Sequence, residues 1–210
     1  MKTTLKEIHQ HRPCTDGFEQ LIYSITGRKE SPEMDIDEQF SLLTEEEKDK
    51  EVDLIEILES NGIKDAVWVL RCFDYRFYCL FLADVAESVL PIFEAKYPED
   101  DRPMKAIQAI RDFHAGKISA EELAAEAAAA RAAVRDAATG DAAWAAALAA
   151  AWAAAAEDAA WDAAWAAAWD AAWAAEDAAW GAAWAAARAA AEDTKRQEIE
   201  ELFRKHFVKD

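Results

Sequence analysis

Proline and glycine are scarce in this 210-residue chain, with five and six residues respectively. Glycine interrupts regular structure through its backbone freedom and proline through its missing N–H, so few breaks are expected. Beyond Asp141 there is no proline, and Gly181 is the only glycine. Cysteine is scarcer still. Cys14, Cys72 and Cys79 form an odd set without the spacing of a disulfide framework, which fits a reduced intracellular protein. Basic residues are outnumbered, 23 Lys+Arg against 42 Asp+Glu, for a net charge of −19. Such a field repels nucleic acid and argues against direct DNA or RNA binding. It also speeds encounter with a basic partner and aids solubility. Long hydrophobic runs are missing too. The longest uncharged apolar stretch, residues 142–156, is mostly alanine and falls short of the ~20 strongly apolar residues of a membrane-spanning helix. The opening MKTTLKEIHQHR lacks the apolar segment of a signal peptide. A soluble, cytoplasmic protein is expected.

What the chain has in excess is alanine. Between Glu121 and Ala190, 42 of 70 residues are alanine, and eight of the nine tryptophans are set into that background. Alanine loses no side-chain entropy on entering a helix, whereas tryptophan brings a large apolar area and one polar N–H. This combination predicts stiff helix with a few large anchors. At 100° per residue, Trp161, Trp165, Trp169, Trp173, Trp180 and Trp184 fall within an arc of about 140°. Trp144 and Trp152 point elsewhere on a straight helix. Asp158, Asp162 and Glu176 lie inside the arc, Asp170 and Asp177 flank it, and the opposite face is nearly pure alanine. Two uses follow. The tryptophans pack between helices of the same chain, or part of the stripe is an interface whose carboxylates select a basic partner.

The chain before the tract predicts a compact helical domain. Thr15 and Asp16 are placed to cap a helix through Phe18, Leu21, Ile22 and Ile25, with Gly27 as its stop. Residues 28–38 resemble a loop. Thr44 with Glu47 forms a possible capping box before VDLIEILES, which Asn61-Gly62 ends. The segment Tyr75 to Tyr97 is the most apolar. Phe77, Leu80, Phe81, Asp84, Val85, Ser88 and Val89 share helical spacing there, and Pro91 is expected to kink or split the helix. PEDDRP (98–103) is a hinge of turn residues leading into a helix that closes at Gly116. Ser119 with Glu122 then caps the alanine tract, which Thr139-Gly140-Asp141 interrupts. No segment alternates with period two for long enough to predict a strand. If unbroken, a helix from Asp141 to Ala191 would be about 77 Å long. The expected fold is all-α. A compact helical domain over 1–116 is followed by an Ala/Trp-rich helical region over 117–210, packed as a bundle or projecting.

Candidate chemistry is thin. His9, His11 and Cys14 lack a fourth ligand and a zinc-like spacing. His114 and His206 are single histidines near helix ends, expected at the surface. Cys72 and Cys79 are small core residues in expectation, and Asp100-Asp101 are helix caps beside Pro98 and Pro103. There is no Ser-His-Asp set, phosphate-binding glycine loop or HExxH. No enzyme, metal or cofactor is expected.

The segments LIEILESNGIKDAVWVLR (54–71), SVLPIFEAKYPEDDRPMKAIQAIRDFHAGKISAEELAAEAAAARAA (88–133) and the Ala/Trp tail resemble an alanine-rich family of immunity proteins of polymorphic-toxin systems, with relatives also in phages. The more specific block is YPxDDRPxxAI followed by GxISxEEL, and the acidic insert TEEEKDKEVD (44–53) departs from the pattern. The resemblance implies a non-enzymatic, all-helical protein that neutralises another protein by binding it, and it carries over no functional residues. The resulting expectation is an acidic inhibitor that blocks a basic, nucleic-acid-handling surface of a toxin or defence nuclease. Candidate contacts are Asp158, Asp162, Asp170, Glu176 and Asp177, with Trp180 and Trp184 as anchors. A phage-encoded anti-defence inhibitor, such as an anti-CRISPR or antirestriction protein, is the alternative. A self-associating homo-oligomeric module and a small-molecule binder remain as further readings.

Overall fold

The structure, a computed structural model, describes residues 1–28, 34–136, 149–150, 153 and 184–208. It is dominated by helices and contains one small sheet. The chain divides into two compact units, Met1–Phe73 with Phe207–Asp210, and Asp74–His206.

In the first unit, β1 (Lys2–Thr4) pairs antiparallel with β2 (Glu51–Asp53), setting Thr3 opposite Val52. Each strand leads directly into a helix, β1 into α1 (Leu5–Gln10) and β2 into α5 (Leu54–Asn61). The junctions are capping boxes, Thr4 with Glu7 and Asp53 with Glu56. In each, the side chain and backbone N–H of the two partners satisfy one another. Between them lie α2 (Thr15–Thr26), α3 (Ile36–Ser41) and α4 (Glu45–Lys48). Gly27 stops α2 in the left-handed conformation at φ 71°, as a C-terminal glycine does without a Cβ penalty. Leu5, Ile8, Phe18, Ile22, Leu54 and Ile57 are buried in the core of this unit. After α5, Gly62 turns the chain at φ 83°, and α6 (Ile63–Val69) follows at once, ending in a 3-10 turn at Leu70–Cys72.

Several expectations change here. Two strands exist although no alternation predicted them, because three residues are too few to show a period. Residues 36–38, expected in a loop, begin α3, capped by Asp35 with Glu38. The Thr44–Glu47 box is present, but it caps the short α4, while the VDLIEILES helix has its own cap at Asp53. Cys14 rather than Thr15 or Asp16 occupies the N-cap of α2.

The second unit starts with a 3-10 turn, Tyr75–Phe77, and continues into α7 (Cys79–Glu87) and α8 (Leu90–Lys96). The apolar segment is therefore split before Pro91, which sits in the first turn of α8 where its missing N–H costs nothing. Phe77, expected on the buried arc, is 69% exposed. It lies in the turn, where the helical spacing that predicted its burial does not apply. α9 (Arg102–His114) packs on both α7 and α10 (Ala120–Asp136). Ser119 and Glu122 make the predicted box at the start of α10, with backbone N–H donating to the partner side chain at 2.7 and 3.2 Å. Leu123, Ala127, Ala130 and Ala133 form the buried stripe of α10 at helical spacing. α11 (Trp184–Phe207) brings Ile199 and Phe203 into the core, with Phe203 edge-on to Phe81 at 5.5 Å.

Candidate partner-binding site

Most residues predicted to meet a partner fall outside the described part of the chain. This holds for Asp158, Asp162, Asp170, Glu176, Asp177 and Trp180, and also for Trp144, Trp152, Trp161, Trp165, Trp169 and Trp173. Trp184 is the first residue of α11. Between α10 and α11 the described residues are Ala149, Ala150 and Ala153, and all three are fully buried. The buried Tyr75 hydroxyl donates to the Ala153 carbonyl at 2.5 Å. An alanine surface thus packs inside the second unit, and methyl-sized side chains permit that close approach. Burial pushes the Tyr75 hydroxyl far above its ordinary range, so it acts as a fixed donor.

Asp84 of α7 organises the charged part of this unit. Arg111 of α9 donates to it at 3.0 Å, Lys205 of α11 at 2.9 Å, and His206 is 3.0 Å away. Burial opposes ionisation of Asp84. The hydrogen bonds from His206, Lys205 and Arg111 outweigh that and hold its carboxyl at about 2. Arg111 also grips Glu87 at 2.6 Å. His206 packs edge-on against Phe81 at 6.1 Å, so the expected surface histidine is instead half-buried and engaged. Just past the end of α7, the Ser88 hydroxyl lies 3.3 Å from the Nζ of the buried Lys195, which pairs with Glu198. This cluster joins α7, α9 and α11. It is a structural anchor, because each charge is consumed by an internal partner.

The specific motif YPEDDRP is a clasp of the same kind. Asp100 receives Nε and Nη2 of Arg102 at 2.8 and 2.6 Å, and Arg102 Nη1 reaches Asp136 at the end of α10, 2.8 Å away. The fork geometry suits a bidentate carboxylate contact. Asp101 occupies the N-cap of α9 and pairs with Lys105. The motif thus ties the start of α9 to the end of α10.

Other candidates resolve into local contacts. His9 stacks on Phe40 with centroids 4.0 Å apart and lies 2.9 Å from Asp37, which Arg12 also holds. The Arg12 guanidinium, with His9, keeps the Asp37 carboxyl below its usual range despite some desolvation. Burial pushes the Cys79 thiol up to about 11, the wrong direction for a nucleophile. Cys72 is likewise raised to about 11 by burial. Among the described residues, no group of three or more His, Cys, Asp and Glu could hold a metal ion. No helix among them is long and apolar enough to cross a membrane.

One comparison with known proteins matches. Residues 76–202 fit the family described as Imm-5 like putative immunity protein. The chain belongs to this family. The matched region begins two residues after the start of the second unit and ends within α11. It contains the Asp100–Arg102–Asp136 clasp and, of the Asp84 cluster, Asp84, Glu87 and Arg111, while Lys205 and His206 lie past its end. Membership suggests an inhibitory role exerted on a partner protein, and such families are generally non-enzymatic. No curated protein and no solved structure matches the chain.

Sequence reasoning missed the Asp84 cluster. Its one signal was an aspartate at a core-like position in the most apolar segment. A charge there needs partners, but Arg111, Lys205 and His206 are too distant in sequence for spacing to name them.

Proposed function

We propose that this protein is an acidic immunity protein that neutralises a toxin or defence nuclease by occupying its basic, nucleic-acid-handling surface. The single observation that carries the reading is membership of an immunity family combined with a net charge of −19. A protein of that charge meets a basic surface with favourable long-range attraction and competes there with phosphate. The contact face is the acidic share of the alanine–tryptophan tract, with Asp158, Asp162, Asp170, Glu176 and Asp177 as charges and Trp180 and Trp184 as anchors. Six described cations of the second unit support this placement, Arg76 being an exception without an ion pair among the described residues. Arg102, Lys105, Arg111, Lys117, Lys195 and Lys205 are each paired with a carboxylate of the second unit, whereas the tract carries 11 acidic against 3 basic residues over 121–190.

The test starts with affinity capture from the native host and identification by mass spectrometry. The captured protein is then assayed on nucleic acid with increasing amounts of this chain. Stoichiometric loss of its activity is expected. A partner that binds yet stays fully active, or one without action on nucleic acid, contradicts the reading.

A further inference from the structure

We propose that Phe77 is an anchor that inserts into an apolar pocket, bordered by a carboxylate, on the protein this chain neutralises. The inference rests on the reading above only in requiring such a partner.

A single exposed apolar side chain is ordinary on a protein surface. Phe77 differs in how firmly its backbone is held. It is 69% exposed, more than Tyr23, Leu42, Met104 or Val208, yet the residues on both sides are fixed. Asp74 caps the turn by accepting from the Arg76 N–H at 2.9 Å, and the Phe77 N–H donates to the Asp74 carbonyl at 3.0 Å. Tyr75 and Tyr78 are buried and meet edge to face at 5.6 Å. Arg76 lies over the Phe113 ring at 4.0 Å and donates to the Phe113 carbonyl at 3.2 Å. The Arg76 carbonyl in turn accepts from Cys79 Sγ at 3.6 Å and lies 3.2 Å from His114 Nδ1. An aromatic side chain on a preformed backbone loses little entropy on docking, and this favours affinity.

The second observation is electrostatic. Arg76 is exposed and forms no ion pair among the described residues, while nearby Lys117 is neutralised by Asp112 at 2.8 Å. The Arg76 guanidinium has donors left over after its bond to the Phe113 carbonyl. In a chain with such an excess of acid, a guanidinium without an ion pair among the described residues, set beside an exposed aromatic ring, complements a carboxylate on the other protein. Phenylalanine and arginine are both enriched in interfaces. The turn lies at the edge of the immunity-family region, which begins at Arg76.

The test places the photo-cross-linking residue p-benzoylphenylalanine at position 77 of the full chain, with position 104 as an exposed control, in the native host. The partner is then purified and titrated with the wild type, Phe77→Ala, Phe77→Tyr and a variant reversing the five tract acids. An adduct with that partner at 77 and not at 104 is expected. Phe77→Ala should weaken binding about thirty-fold or more, at wild-type melting temperature and salt dependence. Phe77→Tyr, which keeps the ring, should stay within a few-fold. An adduct with a second copy of the chain, no adduct beyond that of the control, or unchanged binding by Phe77→Ala overturns the inference. Loss of binding on charge reversal alone removes only Phe77 from the interface. Loss on Phe77→Ala alone supports the anchor and removes the electrostatic reading instead.

Discussion

Asp84 shows how one residue can be costly and stabilising together. Its carboxylate is half-buried between apolar neighbours, and three donors from α9 and α11 hold it ionised. Asp84→Asn should lower stability by about 1–2 kcal/mol, less than a fully buried pair would cost because the cluster is partly screened by solvent. The pH dependence has a definite sign. The folded carboxyl is depressed from 3.8 to about 2, so its contribution is complete above about pH 4 and is lost as pH falls through 2. Urea denaturation across pH 2–5 should show the wild type and Asp84→Asn converging at the acid end. A constant gap would count against the ion cluster. Tyr75 offers a neutral counterpart. Tyr75→Phe removes the donor to the Ala153 carbonyl and should cost about 1 kcal/mol, read as a lower urea midpoint at unchanged slope.

Elements in this chain are set by their ends. Gly62 sits at φ 83° and ψ 176°, between α5 and α6, a conformation essentially restricted to glycine. Gly62→Ala should destabilise by about 1–3 kcal/mol even though an added Cβ would meet nothing within 4 Å. An unchanged thermal melting curve would show that the backbone relaxes freely there. Ser119→Ala should cost about 1 kcal/mol by uncapping α10, visible as reduced helicity on heating. Such ends were legible in the sequence because their chemistry is local: Gly27 and Gly116 as stops, Ser119 with Glu122 and Thr44 with Glu47 as boxes, and Pro91 as a break. The strands were not, since β1 and β2 hold three residues each and exist through pairing between positions 2–4 and 51–53. α3 was hidden behind a charged, proline-containing segment, although Asp35 and Glu38 have box spacing. Phe77 was misplaced because helical periodicity was extended across a turn.

For the whole molecule, composition carried further than spacing did. The alanine excess and the shortage of breakers predicted an all-helical fold. The block around YPEDDRP pointed to the immunity family by resemblance, and in the structure its Asp100 and Arg102 form the clasp with Asp136. The anchor at Asp84 was not legible, as its contacts close loops of 27, 121 and 122 residues. The contact face rests on charge pattern alone. Electrostatic inhibition is therefore tested by the affinity for the captured partner across a salt series, for the wild type and for the chain with Asp158, Asp162, Asp170, Glu176 and Asp177 each changed to Lys. Wild-type affinity should fall steadily with salt, and charge reversal should cost at least a hundred-fold at low salt, the order expected when several close charge pairs turn repulsive. Affinity indifferent to both salt and charge reversal would contradict electrostatic inhibition.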